Sequence, residues 1–217
     1  MEYTNNDTAV VIIDPQNDVL SPTGKNWDAV GASVTENNTV QHLVDILAAA
    51  KATGFGVFIS PHYFYPTDST WLFNGPLESD EFRTHTFARS GPLTLEGFAG
   101  SGADWLDEFK TYIEDGETVV VSPHKVWSPQ SNDLILQLRK RGIAKVILCG
   151  MLANMCVESH LREFLELGFE VAVVRDAVAA PKIPEGDGYL SALINFRYMA
   201  NGLWTTDEVV SYLNNKA

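Results

Sequence analysis

The chain has 217 residues, a formal charge of −13 and a pI near 4.7, long enough to bury one substantial core. Its acidity argues against a nucleic-acid or anionic-membrane partner, and no apolar stretch approaches bilayer length. Two cysteines, Cys149 and Cys156, cannot build a disulfide framework, and "MEYTNNDT" lacks the basic and apolar regions of a signal peptide, so a cytoplasmic location is expected.

Along the chain, strands and helices alternate. Residues 8–14, "TAVVIID", form a compact β-branched run. Asn37 and Asn38 can cap a helix whose Val40, Leu43, Val44, Leu47 and Ala50 share one apolar face, and Gly54 ends it. Residues 55–60 read as a second strand. The segment 61–100 is long, irregular and rich in proline, glycine and aromatics, the composition of a lid, a pocket wall or a subunit contact. Ser101 can cap a short helix through "ADWLDEFKTYI". Strand 117–122, helix 132–142, strand 144–150, helix 154–168 and strand 169–178 follow. A helix over about 187–200 and a capping box from Thr205 to Glu208 close the series. Five near-continuous apolar strands interleaved with helices predict one domain over residues 1–217. Its fold class is α/β, three-layer α/β/α with a doubly wound, mainly parallel sheet.

In this architecture ligands bind beyond the carboxyl ends of the strands. Those ends carry Asp14 in "IIDPQND", His62 in "SPHYFYP", His124 and Lys125 in "SPHKVWSP", and Cys156 in "CGMLANMCVESH". Taken alone, a strand-end aspartate is often a turn former, a strand-end lysine is usually solvated, and a lone cysteine is usually a small apolar residue. Jointly they make chemical sense. A thiol in the first turn of a helix meets backbone N–H groups and the positive dipole end, which favour the thiolate. A cation stabilises that thiolate, and a carboxylate takes its proton.

The combination of "VIIDPQND", a strand-end Lys125 and "GMLANMCV" resembles the isochorismatase-like cysteine hydrolases, a group that includes nicotinamidases, N-carbamoylsarcosine amidohydrolase and isochorismatase. The resemblance covers nearly the whole chain and is most specific around the cysteine. It implies Asp14 as general base, Lys125 as the partner of the thiolate and Cys156 as nucleophile. It also implies a non-proline cis peptide at Met151–Leu152 that aims the Leu152 N–H beside that of Cys156, a two-donor oxyanion hole. Gln16, Trp27, His62 and Trp127 are the expected substrate contacts.

Two departures from the family pattern stand out. Many relatives follow the lysine with three residues and then Ser–Ala–Phe, where this chain reads "KVWSPQSND". Nicotinamidases hold a metal through an Asp–x–His pair and a further histidine, and here Ser60 takes the aspartate's place before His62, so no metal and no other cofactor is expected. Retention of Cys156 favours C–N cleavage of a small amide or ureido substrate over vinyl-ether hydrolysis with Asp14 as acid; a thiol used only as a sensor is a third reading. Besides the small-molecule substrate, the resemblance implies a homo-oligomer, a dimer or a tetramer.

Overall fold

The computed structural model describes residues 2–215. In chain order it comprises β1 (Thr8–Ile13), α1 (Asn17–Leu20), α2 (Trp27–Glu36), α3 (Thr39–Ala52), β2 (Gly56–Ser60), α4 (Pro76–Thr84), α5 (Asp107–Ile113), β3 (Val119–Val120), α6 (Leu134–Lys140) and β4 (Lys145–Met151). There follow a π turn over Ala153–Val157, α7 (Glu158–Glu166), β5 (Glu170–Ala179), β6 (Lys182–Ile183), β7 (Gly186–Asp187), α8 (Gly188–Met199), β8 (Gly202–Trp204) and α9 (Thr206–Asn214).

Six strands form one parallel sheet in the order β3-β2-β1-β4-β5-β8, while β6 and β7 make a small antiparallel hairpin. The alternation of side chains sorts the core into two halves. Val10, Ile12, Val57, Ile59, Ile147 and Ala172 pack with Leu43, Ile46, Leu47, Phe109, Val209 and Leu213 of α3, α5 and α9. Ala9, Val11, Ile13, Phe58, Val146, Leu148 and Val173 face Leu134, Leu138, Leu161, Phe164, Ala192 and Phe196 of α6, α7 and α8. Strands covered on both faces must be apolar throughout, which is why residues 8–13 could be recognised without alternation. Among the described residues, no helix is long and apolar enough to cross a membrane.

The expected elements are found with several revisions. Helices α1, α2 and α4 and the β6–β7 hairpin are additional, the strand expected over 117–122 is reduced to Val119–Val120, and Asn38 precedes α3 without a side-chain capping bond. The sheet has six strands, because Gly202–Trp204 adds a short parallel edge strand beside β5. The helix expected from Ser101 begins only at Asp107. The residues before it instead bind the β1–α1 connection, where Asp18 and Asn17 donate their N–H groups to the carbonyls of Gly102 and Asp104. The capping box is present, with Thr205 accepting from the Glu208 N–H and Glu208 from the Thr205 N–H.

β1 runs out to β2 and β3 on one side and β4 out to β5 and β8 on the other, so the strand order reverses between β1 and β4. A crevice opens beyond the carboxyl ends at such a point. Its floor depends on Gly150, which pairs with Ile13. A Cβ on Gly150 would lie 2.1 Å from the Ile13 carbonyl oxygen, and its φ is +111°, a conformation that side chains rarely adopt. Replacement of Gly150 by alanine is expected to lower the unfolding free energy by about 3 kcal/mol, through backbone strain and separation of β1 from β4. Urea melts of the two proteins measure this, and a loss within ~0.5 kcal/mol would contradict it.

Candidate active site

The connection after β1 begins with Asp14, a buried residue in the left-handed region at φ +50°. Its N–H donates to the Ser60 carbonyl at the end of β2, and its own carbonyl accepts from Gln16. This turn directs the carboxylate into the crevice. Cys156 reaches the same crevice from the β4 side, inside the π turn, with the Met151–Leu152 peptide cis before it. The third member is His124, whose N–H donates to the Pro61 carbonyl and so extends the β3 edge alongside His62. A carboxylate oxygen of Asp14, a ring nitrogen of His124 and the sulfur of Cys156 lie within 4.8 Å of one another, all buried. His124 Nε2 is 2.8 Å from Asp14 Oδ1.

Lys125, expected at the sulfur, is elsewhere. Its Nζ donates to Asp68 Oδ2 at 2.6 Å and to the Tyr63 carbonyl at 2.9 Å, and lies 3.8 Å from the centre of the Tyr65 ring. Adjacent residues of extended chain point to opposite sides. Once His124 faces Asp14, Lys125 faces away, into an open groove of about 980 Å³ lined also by Arg89, Phe98 and Trp105. That groove is far roomier than the cavity above Cys156, yet no cysteine or histidine lines it among the described residues. The sequence carries a signal for the correction. Three residues separate His124 from Ser128, the spacing that the family resemblance implies between lysine and serine.

The protonation state is corrected as well. The expectation of a ready thiolate fails because burial pushes the Cys156 thiol well above its ordinary value. The nearby Asp14 carboxylate raises it further, while the Leu152 N–H works in the opposite sense. The thiol donates to the Val126 carbonyl at 3.9 Å. At rest the site therefore holds a neutral thiol beside a carboxylate.

Of the expected substrate contacts, His62 and Trp127 line the cavity above Cys156, together with Asp14, Asn26, Leu77, Glu81, Phe87, Leu152 and Met155. Gln16 does not. Its amide is a buried clamp that donates to the carbonyls of His62 and Ala103 and accepts from the His62 N–H. Trp27 also stands outside the cavity, its indole lying over Gly31 of α2, where a Cβ would come within 2.4 Å of the ring. Sequence reasoning missed Glu81 as a member of the site and had His124 only as a candidate polar contact to substrate. Glu81 lies on α4, inside the segment that looked irregular, and brings a carboxyl to within 3.8 Å of His62 Nε2. His160, four residues after Cys156, donates from Nδ1 to the Cys156 carbonyl and meets Ser60 Oγ through Nε2. Ser60 also accepts from Asn132. The Ser60–x–His62 pair thus carries no carboxylate at its first position, where the serine hydroxyl is engaged with His160 and Asn132.

The raised thiol generates a direct expectation. Alkylation of Cys156 by iodoacetamide should be slow at pH 7 and accelerate as pH rises past 9, since only the thiolate attacks. The His124→Lys variant places an ammonium against the sulfur and should speed alkylation at pH 7 by about tenfold for each unit by which it lowers the thiol pKa. Equal rates in the two proteins would contradict this account of the site.

Comparison with known proteins matches the picture. The family model described as the isochorismatase domain matches residues 8–208. The isochorismatase family protein YwoC of Bacillus subtilis is 38% identical over 85 residues, a match that spans 37% of this chain and 44% of that protein. The ureidoacrylate amidohydrolase RutB of Azorhizobium caulinodans is 26% identical over 181 residues, 79% of this chain and 75% of RutB. A cysteine hydrolase from Pseudomonas syringae pv. phaseolicola superposes with a TM-score of 0.81 at 22% identity, covering 100% of this chain and 97% of that structure. With its parallel sheet, the crevice between β1 and β4 and a domain match over most of its length, the chain belongs to the isochorismatase family of hydrolases.

Proposed function

We propose that the protein is a cysteine hydrolase that cleaves the C–N bond of a small carboxamide or ureido compound through a thioester on Cys156. The observation that carries this reading is the buried cluster of Asp14, His124 and Cys156 within 4.8 Å, with a backbone N–H of Leu152 at the sulfur. The name of the RutB relative, a ureidoacrylate amidohydrolase, supports an amide or ureide as the substrate class.

The neutral thiol dictates the order of events. As the substrate carbonyl approaches, the thiol proton passes to Asp14 while sulfur bonds to carbon. This transfer avoids a free thiolate in a buried, anionic site. Charge develops on the carbonyl oxygen, where the N–H groups of Leu152 and Cys156 serve as donors. The proton on Asp14 is then given to the leaving nitrogen, the C–N bond breaks and ammonia or an amine departs from the thioester. Asp14, again a carboxylate, takes a proton from water as its oxygen attacks the thioester, and that proton returns to sulfur. His124 donates its Nε2–H to Asp14 throughout and holds the carboxylate toward the sulfur. Because this partner is an imidazole instead of an ammonium, it steadies the base without creating a resting thiolate.

Trp127, Leu77 and Phe87 confine the cavity to about 20 Å³, room for roughly one water, so a substrate lifts part of the roof as it binds. A small-molecule substrate, a homo-oligomeric state and the absence of nucleic-acid or membrane partners complete the proposal.

The test is ammonia release over a panel of amides. Cys156→Ala should lower turnover by on the order of 10⁴-fold or more while leaving the thermal transition in place. With the parent enzyme, acid-quenched mass spectrometry should reveal an acyl adduct on Cys156. Turnover that survives Cys156→Ala, or substrate hydrolysis with no adduct as in vinyl-ether cleavage, would overturn the proposal.

A further inference from the structure

The wall of the cavity beyond Asp14 has a polarity of its own. His124 donates its Nε2–H to the Asp14 carboxylate, and its Nδ1 faces His62 Nδ1 at 3.3 Å. Two facing imidazole nitrogens make a hydrogen bond only when one of them carries a hydrogen. Where His124 carries a single hydrogen, engaged by Asp14, the hydrogen in this contact belongs to His62. Burial holds His62 neutral, so its one N–H is then used and Nε2 is a bare acceptor. That nitrogen is buried, has no hydrogen-bond partner within the protein and lines the cavity that contains Cys156. The rings of Phe64 and Phe87 pack edge-on against His62, at 4.6 and 5.0 Å between centres, and fix its orientation.

Next to it stands Glu81, 3.8 Å away and also buried. The groups around Glu81 are overwhelmingly acidic, with Asp14 from the β1 end, Asp18 from α1 and Glu78 and Asp80 from its own helix. Burial and these neighbours push its carboxyl up to about 8. Among the described residues that line the cavity there is no lysine or arginine. The nearby cations are engaged elsewhere, Lys125 by Asp68 and Lys25 by the His85 carbonyl. Asn26, Leu77, Phe87, Trp127 and Met155 supply a largely apolar remainder.

Resting on the function proposed above, we infer that this wall selects an uncharged primary carboxamide or ureide, whose N–H groups are taken by His62 Nε2 and the Glu81 carboxyl, and that it rejects substrates carrying a carboxylate. A buried acceptor without a partner is matched by an amide N–H and left unmatched by a carboxylate, which has none. A second anion beside Asp14 and Glu81, with no cation lining the cavity, is opposed by like-charge repulsion at low dielectric.

Matched pairs test this, namely propionamide against succinamate and N-methylurea against N-carbamoylglycine. Each compound is scored by ammonia release and, separately, by protection of Cys156 from iodoacetamide. The neutral member of each pair should be favoured in kcat/KM and in protection by at least ~30-fold. That preference should widen above about pH 8 as Glu81 ionises, and Glu81→Gln should abolish the widening because its amide carries no charge at any pH. His62→Phe keeps the ring packing but removes Nε2, and should raise KM for the neutral compounds by about tenfold with a smaller change in kcat. Equal or better handling of the anionic members would overturn the inference even if Cys156 forms the acyl adduct. Selective protection by the neutral members without turnover would uphold this inference and overturn the proposed reaction.

Discussion

The hydrogen bond between Asp14 and His124, 2.8 Å long and closed to solvent, organises the candidate site. A carboxylate buried at the edge of an apolar sheet is stable only if its lone pairs are met by donors. Here the donor is an imidazole N–H from the β3 side, with the Cys156 thiol close by on the β4 side. The carboxylate is brought to them by a left-handed turn after β1, and β4 comes close enough only because Gly150 has no side chain opposite Ile13. The fold therefore delivers three groups from distant parts of the chain to the point where strand order reverses, and burial together with the charge of Asp14 keeps the Cys156 thiol protonated.

An imidazole beside the carboxylate, instead of the Lys125 ammonium expected there, changes the electrostatics of the whole cavity. With a lysine, a base and a thiolate could share one positive charge. With His124, the carboxylate is the dominant charge, the thiol stays protonated and any further acid nearby is driven toward its neutral form. Glu81 shows the last effect. The same chain of hydrogen bonds then fixes which nitrogen of His62 is bare, so a substitution at the nucleophile's partner reaches the substrate-facing wall through two imidazole rings.

Several residues that look chemical in the sequence are instead struts that hold the roof over the site. Lys125 ties the β3 end to Asp68 and to the face of Tyr65. Gln16 locks the backbone of His62 to that of Ala103. Asp18 accepts the N–H groups of Phe87 and Lys25 and lies so close to Gly102 that no larger residue would fit there. These contacts turn residues 61–100 from an apparently irregular stretch into a packed cover that contributes Leu77, Glu81 and Phe87 to the cavity.

The sequence alone determined the layered sheet, Asp14 and Cys156, because burial on both faces demands unbroken apolar strands and because the turn after β1 and the helix after β4 carry local signatures. It was less informative where structure depends on partners. Val119–Val120 and Gly202–Trp204 are too short to show a pattern and are strands only because β2 and β5 lie beside them. Helix α2 is concealed by Gly31, which is there to admit the Trp27 ring. Whether His124 or Lys125 meets the sulfur turns on a single step of backbone alternation. Spacing to Ser128 hints at it, but only the pairing of the β3 edge with His62 settles it, since neighbouring residues in extended chain face opposite sides. The protonation of Cys156 and Glu81 could not be read from one dimension at all, because burial and the field of acids from other elements set it, and those exist only once the chain has folded.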